Sequence, residues 1–127
     1  MFIEAALSGQ PLQLADDGTE RLDFTYVKDW VQGMMLILEH PEKSKHEVFN
    51  LAYGGARSLR ALINVIRRDF PDLKVEQVKR DVLMPKRDTL DTTKIQSLLG
   101  YNAEYPIEAG FTEYIDWYKK FWPSAAA

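Results

Sequence analysis

The 127-residue sequence predicts an α/β fold, or α+β when the chain is taken as an isolated piece. Runs of helical period, such as Leu59, Leu62, Ile63 and Ile66, alternate with short strand-like runs such as Pro11-Leu12-Gln13-Leu14 and Leu73-Lys74-Val75-Glu76-Gln77-Val78. Turn signals separate them: Ser8-Gly9, Asp16-Asp17-Gly18, Gly54-Gly55, Pro71, Gly100 and Pro106. Hydrophobic residues make up 46% and charged residues 28%, the composition of a chain that buries a core and is not disordered. One domain over 1–123 is expected, with 124–127 a frayed or appended tail.

Composition also narrows the functional classes. A net charge of −3 argues against general nucleic-acid binding. There is no cysteine, so disulfide and thiolate chemistry are excluded. No apolar run reaches the length of a bilayer span, and residues 1–7 lack the pattern of a signal peptide, so a cytoplasmic protein without a membrane partner is expected. Met1 falls inside a helical pattern, which suggests an internal residue of a longer protein.

Residues 1–7 read as a helical end, with Phe2, Ile3 and Leu7 on one face. Leu22-Asp23-Phe24-Thr25-Tyr26 reads as a half-buried strand, and Asp29 as the cap of a helix carrying Val31, Met34, Met35 and Leu38. His40 to His46 reads as a charged surface loop with Pro41 as helix stop. Glu47-Val48-Phe49-Asn50-Leu51-Ala52 is the most strand-like run of all. Ser58 caps the next helix, whose Arg60, Arg67 and Arg68 oppose its apolar side. Residues 73–78 read as an edge strand, and 82–88 as irregular, anchored by Pro85. Asp91 or Thr92 opens a short helix through Ile95, Leu98 and Leu99, closed by Gly100. Pro106 begins a last helix with Ile107, Phe111, Ile115, Tyr118 and Trp122.

Few residues suggest chemistry. His40 and His46 lack convergent partners and read as solvated, so neither metal ligands nor catalytic groups are assigned. Turn chemistry explains Asp16 and Asp17, and a structural contact Asp23. Gly54-Gly55 lacks the spacing of a phosphate loop and reads as a plain turn. Trp117, Tyr118, Phe121 and Trp122 read as core or as a docking face for another piece of protein. Lys79-Arg80 and Lys86-Arg87 form a basic stretch; by residue chemistry alone it reads as a solvated strand flank, with phosphate binding the competing reading.

Five motifs in order tip that balance. Pro11-Leu12-Gln13-Leu14, the segment from Leu22 to Asp29, Val48-Phe49-Asn50-Leu51 with Ser58-Leu59, Pro85-Lys86-Arg87 through Lys94, and Leu98-Leu99-Gly100-Tyr101 with Pro106 to Phe111 follow one another along the chain. From Phe2 to Trp122 the chain resembles the C-terminal half of the extended short-chain dehydrogenase/reductases, the superfamily of NAD-dependent sugar-nucleotide epimerases and dehydratases. The resemblance implies a substrate-binding C-terminal portion lacking the main Rossmann half, because a glycine-rich pyrophosphate loop and a Tyr-x-x-x-Lys pair are both absent. It implies no cofactor held by this chain, with NAD or NADP belonging to the parent enzyme. A nucleotide-diphosphate sugar is the implied ligand, with Arg87 on the diphosphate, the Leu12-to-Asp16 segment with Leu14 and Ala15 against base and ribose, and Arg21 a further substrate-binding candidate. Leu22 stands where many members carry a second phosphate-binding arginine, with Arg21 adjacent; Ala15 and Asp16 stand where an aromatic and a glycine are common. A missing N-terminal Rossmann half and a second copy are the implied protein partners, since Trp30, Met34 and Val48 would otherwise expose apolar surface. The alternative is a stand-alone, non-catalytic binding or oligomerisation module on the same scaffold.

Overall fold

The computed structural model describes residues 2–121 of the chain. Ten elements follow one another: α1 (Phe2–Ser8), β1 (Leu12–Ala15), β2 (Arg21–Leu22), α2 (Val27–Glu39), α3 (Pro41–Ser44), β3 (Arg57–Ser58), α4 (Leu59–Asp69), β4 (Val75–Val78), α5 (Thr93–Leu99) and α6 (Ile107–Phe121). β1 and β4 pair in parallel, Leu12 opposite Val75 through Ala15 opposite Val78. β2 and β3 form a second, antiparallel pair, Arg21 opposite Ser58. A parallel pair needs a crossover, and α4 supplies the helix of this one.

The main core lies between the parallel pair and helices α1, α4 and α6. Leu12 and Leu14 from β1 meet Leu59, Leu62, Ile63 and Ile66 from α4 and Ile107, Ile115 and Tyr118 from α6. α4 follows its sequence closely: the Ser58 hydroxyl accepts the Ala61 N–H at 3.1 Å, and the apolar face is buried while Arg60, Arg67 and Arg68 stay in water. A smaller cluster joins Ile95 and Leu99 of α5 to Tyr101, with Leu36, Ile37, Phe49 and Leu51 against them. The Tyr101 hydroxyl donates to the Ala52 carbonyl at 3.1 Å. Burial, helped by the charges of Asp29 and Asp23, pushes its pKa up to about 12, so it remains a donor. Gly33 sets how close α2 comes, because a β-carbon there would collide with a Leu51 methyl. Gly100 takes the left-handed conformation, φ 71°, that closes α5.

Several expectations are corrected. Of the strand expected from Leu22 to Tyr26, only Leu22 joins a ladder, with Arg21 before it; residues 23–26 run on without one. Asp29 does not cap α2. Tyr26 occupies that position, and Asp29 sits one turn in, 1% exposed, accepting the N–H groups of Glu104 at 2.8 Å and Tyr105 at 3.2 Å. Trp30 and Val48 are exposed as expected, together with a helical face of Val31, Met35 and Leu38, whereas Met34 is half-buried. Pro41 starts the helical turn α3 where a loop was expected. Residues 47–52 form no strand, since no neighbouring strand of the described chain offers its backbone; Lys94 and Asn50 make side-chain ties there instead. Trp122 and 124–127 lie outside the described residues.

The buried Asp29 carboxylate satisfies two amides ahead of α6. Asp29→Ala strands both and is expected to lower stability by about 2–4 kcal/mol, whereas Asp29→Asn keeps one acceptor and loses about half as much. Urea unfolding of the two variants measures this; equal stability of wild type and Asp29→Ala would contradict it.

A candidate anion-binding cleft

Because β1 and β4 run parallel with Ala15 beside Val78, the turn after one and the loop after the other leave the sheet at the same edge. Ligands of parallel sheets sit beyond the carboxyl ends of the strands. Here that edge holds a cleft of about 500 Å³ lined by Ala15, Asp16, Thr19, Glu20, Arg21, Arg80, Lys86, Arg87 and Asp88. A second cleft, of about 610 Å³, lies on the other side of residues 86–88 and is lined also by Leu22, Asp23, Phe24, Thr25, Thr89 and Leu90.

The first wall is a tight turn. Asp17 accepts the Thr19 N–H at 3.1 Å and its hydroxyl at 2.7 Å, and these bonds hold the Asp17 carboxyl below its ordinary pKa. The opposite wall, residues 86–91, has no regular structure but is tied down repeatedly. Arg21 Nε donates to Asp88 at 3.0 Å and Arg21 Nη2 to the Ala56 carbonyl at 2.7 Å. The Thr89 hydroxyl accepts the Ala56 N–H at 3.0 Å. Asp23 takes the Leu90 N–H on one carboxylate oxygen at 3.0 Å and the Gly54 N–H on the other at 3.2 Å, the structural contact expected of it. Asn50 closes the series by donating to the Asp91 carbonyl.

Four cations line the first cleft, and they are not equivalent. Arg21 spends its guanidinium on Asp88 and Ala56. Arg80 is not the solvated flank residue the sequence suggested: its side chain is 20% exposed, lies 3.8 Å from Glu20, and donates to the Met84 carbonyl at 2.7 Å. Glu20 is thirteen-hundredths exposed and sixty residues away, so no local pattern announced the pair. Lys86 and Arg87 are both exposed, and neither has a hydrogen-bond or ion-pair partner among the described residues. Of the residues expected to contact ligand, the structure gathers Arg87, Arg21 and Ala15 on one cleft. Leu14 is not with them; its side chain is buried in the core. Thr19, Glu20 and Asp88 line the cleft as well and carried no signal beyond turn chemistry and charge.

The arrangement suits an anion. Two cations without ion-pair partners stand on a tethered loop against one unpaired carboxylate, Asp16, which leaves the cleft positive on balance, and no nucleophile–base pair accompanies them. His40 lies elsewhere, 3.5 Å from Glu42, and among the described residues no group of histidines and carboxylates suits a metal ion.

The Arg21 hydrogen bond, then the Thr89 N–H, hold the Asp88 carboxyl below its ordinary 3.8. A depressed folded pKa means that the tether contributes fully above that value and is lost as pH falls through the lowered one. The Asp88 carboxyl shift, followed by NMR, is expected to titrate below 3.8 in the native protein and to move upward in Arg21→Ala. An unchanged midpoint would show that the ion pair does not form in solution.

Comparison with known proteins bears on the fold. The profile described as the NAD dependent epimerase/dehydratase family matches residues 1–52. UDP-glucuronate 4-epimerase 4 of Arabidopsis thaliana is 26% identical over 95% of this chain and 31% of its own. The UDP-glucuronic acid 4-epimerase of Bacillus cereus, solved with UDP-glucuronic acid and NAD, superposes with a TM-score of 0.86 at 25% identity, over 95% of this chain and 39% of that one. An epimerase of Methanothermobacter thermautotrophicus gives 0.88 at 25% identity, over 98% and 37%. The chain thus spans about a third of the length of the relatives it matches. Over nearly its whole length the chain is similar to the C-terminal portion of sugar-nucleotide epimerases of the NAD-dependent epimerase/dehydratase kind.

Proposed function

We propose that this chain supplies nucleotide-sugar recognition to an NAD(P)-dependent epimerase or dehydratase and is not catalytic by itself. The observation that carries the reading is the pair of unneutralised cations, Lys86 and Arg87, on a loop fixed by Arg21, Thr89 and Asp23. A diphosphate offers a guanidinium two acceptors at once, and the tethers reduce the ordering that binding would otherwise require. The UDP-glucuronic acid and NAD in the Bacillus cereus structure make a uridine diphosphate sugar the first ligand to test.

The described residues do not fit the dinucleotide. Gly54 gives its N–H to Asp23, and at the start of α4 the N–H groups of Leu59, Arg60 and Ala61 go to Glu20, Gly18 and Ser58. Among the described residues no glycine-rich turn is left open toward a pyrophosphate. The remaining, Rossmann-bearing part of such an enzyme has a place to dock. Trp30, Val31, Met35 and Leu38 on α2, with Val48 beside them in sequence to its C-terminal side, are exposed apolar residues.

Calorimetric titration of the full chain with UDP-glucuronic acid tests the reading. Arg87→Ala is expected to weaken binding roughly tenfold to over a hundredfold, the worth of about 1.5–3 kcal/mol for a charge-assisted pair. Arg87→Lys recovers only part of it, because an ammonium lacks the planar fork. Arg67→Ala, on the far, solvated side of α4, is the neutral reference. Equal affinities for Arg87→Ala and Arg67→Ala would remove the assignment. In the same apparatus NAD is expected to give no saturable signal; a saturable one would overturn the non-catalytic part.

A further inference from the structure

Lys86 and Arg87 stand in a loop whose two ends are held very differently. Behind them the chain is tied three times over, at Asp88 by Arg21, at Thr89 by the Ala56 N–H and at Leu90 by Asp23. Ahead of them residues 81–85 make an open turn whose own bonds are internal. Asp81 accepts the Met84 N–H on its carbonyl at 3.1 Å and the Leu83 N–H on its carboxylate at 2.9 Å. Val82 and Leu83 at the tip are 84% and 87% exposed, so packing contributes little there. Among the described residues, one hydrogen bond reaches this turn from outside it: Arg80 Nη2 donates to the Met84 carbonyl at 2.7 Å.

Arg80 is itself well anchored. Its guanidinium is sheltered beside the Glu20 carboxylate, which is more sheltered still. The Glu20 carbonyl accepts the Leu59 N–H at 2.9 Å, at the first turn of α4, so this partner is fixed to the main core. The Arg80 N–H points to Asp16 at 3.4 Å, and Asp16 in turn donates its N–H to the Val78 carbonyl at 2.8 Å. Of the charges next to Arg80 in sequence, Lys79 is exposed and Asp81 is engaged with Leu83. Taking an ion pair out of water costs desolvation, a cost that a solvated strand flank would not carry. A planar fork can face a carboxylate and a carbonyl together, which an ammonium cannot do in the same way. Pro85 follows Met84 with its fixed φ and also restricts Met84, so a direction set at Met84 is carried on to Lys86.

We propose that Arg80 is a positioning residue for the anion site. It clamps the front of the loop at Met84, as Arg21, Thr89 and Asp23 clamp the rear, and the two cations between the clamps are thereby aimed into the cleft. Its contribution to binding runs through Lys86 and Arg87, by sparing the ligand the ordering of two long side chains. The inference rests on the recognition reading for its ligand, but the clamp is a property of the free chain and is measured without one.

Two measurements on the full chain test it. In NMR relaxation, Arg80→Gln is expected to lower the backbone order parameters of residues 84–87 while those of α4 stay unchanged. In calorimetry, Arg80→Gln is expected to weaken UDP-glucuronic acid about fivefold to tenfold, and Arg80→Lys to recover only part. In an Arg87→Ala background the same Arg80→Gln change should cost no more than about twofold, because residues that act through one another are not additive. Should Arg80→Gln lower the unfolding midpoint, the double substitution Glu20→Gln with Arg80→Gln leaves no carboxylate stranded and takes its place. Unchanged order parameters in residues 84–87 overturn the clamp. Full additivity with Arg87→Ala overturns it too, since Arg80 would then be a contact of its own, and so does complete recovery by Arg80→Lys. A wild-type chain that gives no saturable signal with UDP-glucuronic acid overturns the recognition reading and the role in binding, while relaxation still decides the clamp.

Discussion

The buried carboxylate of Asp29 ties the first turn of α2 to the segment ahead of α6, beneath the exposed Lys28–Glu113 ion pair that joins the same two helices. It leaves the middle of α2's first turn, away from water, and meets two backbone amides ahead of α6. A buried charge is tolerated only where its lone pairs are taken up, and here the backbone does so. Its position fixes α2 against the α5–α6 connection, and Gly33, one turn on, lets the helix come down onto Leu51 and Tyr101. Asp23 repeats the device closer to the cleft, gathering the amides of Gly54 and Leu90. Two carboxylates six residues apart thus place the segments that surround the cleft.

Much of the fold was legible because the deciding interactions were local. Ser58 before an amphipathic run, Gly100 after one and Pro106 ahead of another each fix a helix end through bonds within four residues. The alternation in 12–15 marks a half-buried strand and residues 75–78 an exposed edge one, although nothing local says that they pair with each other. Asp29 was misread for a physical reason. A carboxylate ahead of an apolar run looks the same whether it binds its own helix or amides seventy-five residues away. Residues 47–52 have the composition of a strand, but composition does not supply a neighbour to bond with. The apolar period of α2 was correct, yet a period identifies only which residues share a face, not what covers it.

The cleft divides in the same way. That a basic loop follows β4 could be read from the sequence, and Arg87 stood out through its motif. Which cations are free could not be read, since Arg21 and Arg80 are neutralised by Asp88 and Glu20, each brought in from a distant part of the chain. Their neutralisation gives the remaining pair its character. Paired guanidiniums set the shape of the wall, while the unpaired cations leave it with attraction to spare for a ligand.

The separation of these partners along the chain also bears on how the protein acquires its cleft. Arg21–Asp88 and Asp23–Leu90 each span 67 residues, and the parallel pair joins Leu12 to Val75. Closing such long loops costs entropy before any contact repays it, so these bonds belong late in folding, after α4 and its local cap have formed. The cleft is therefore a property of the completed topology: a peptide cut from residues 85–94 would keep the charges but none of the restraint that aims them.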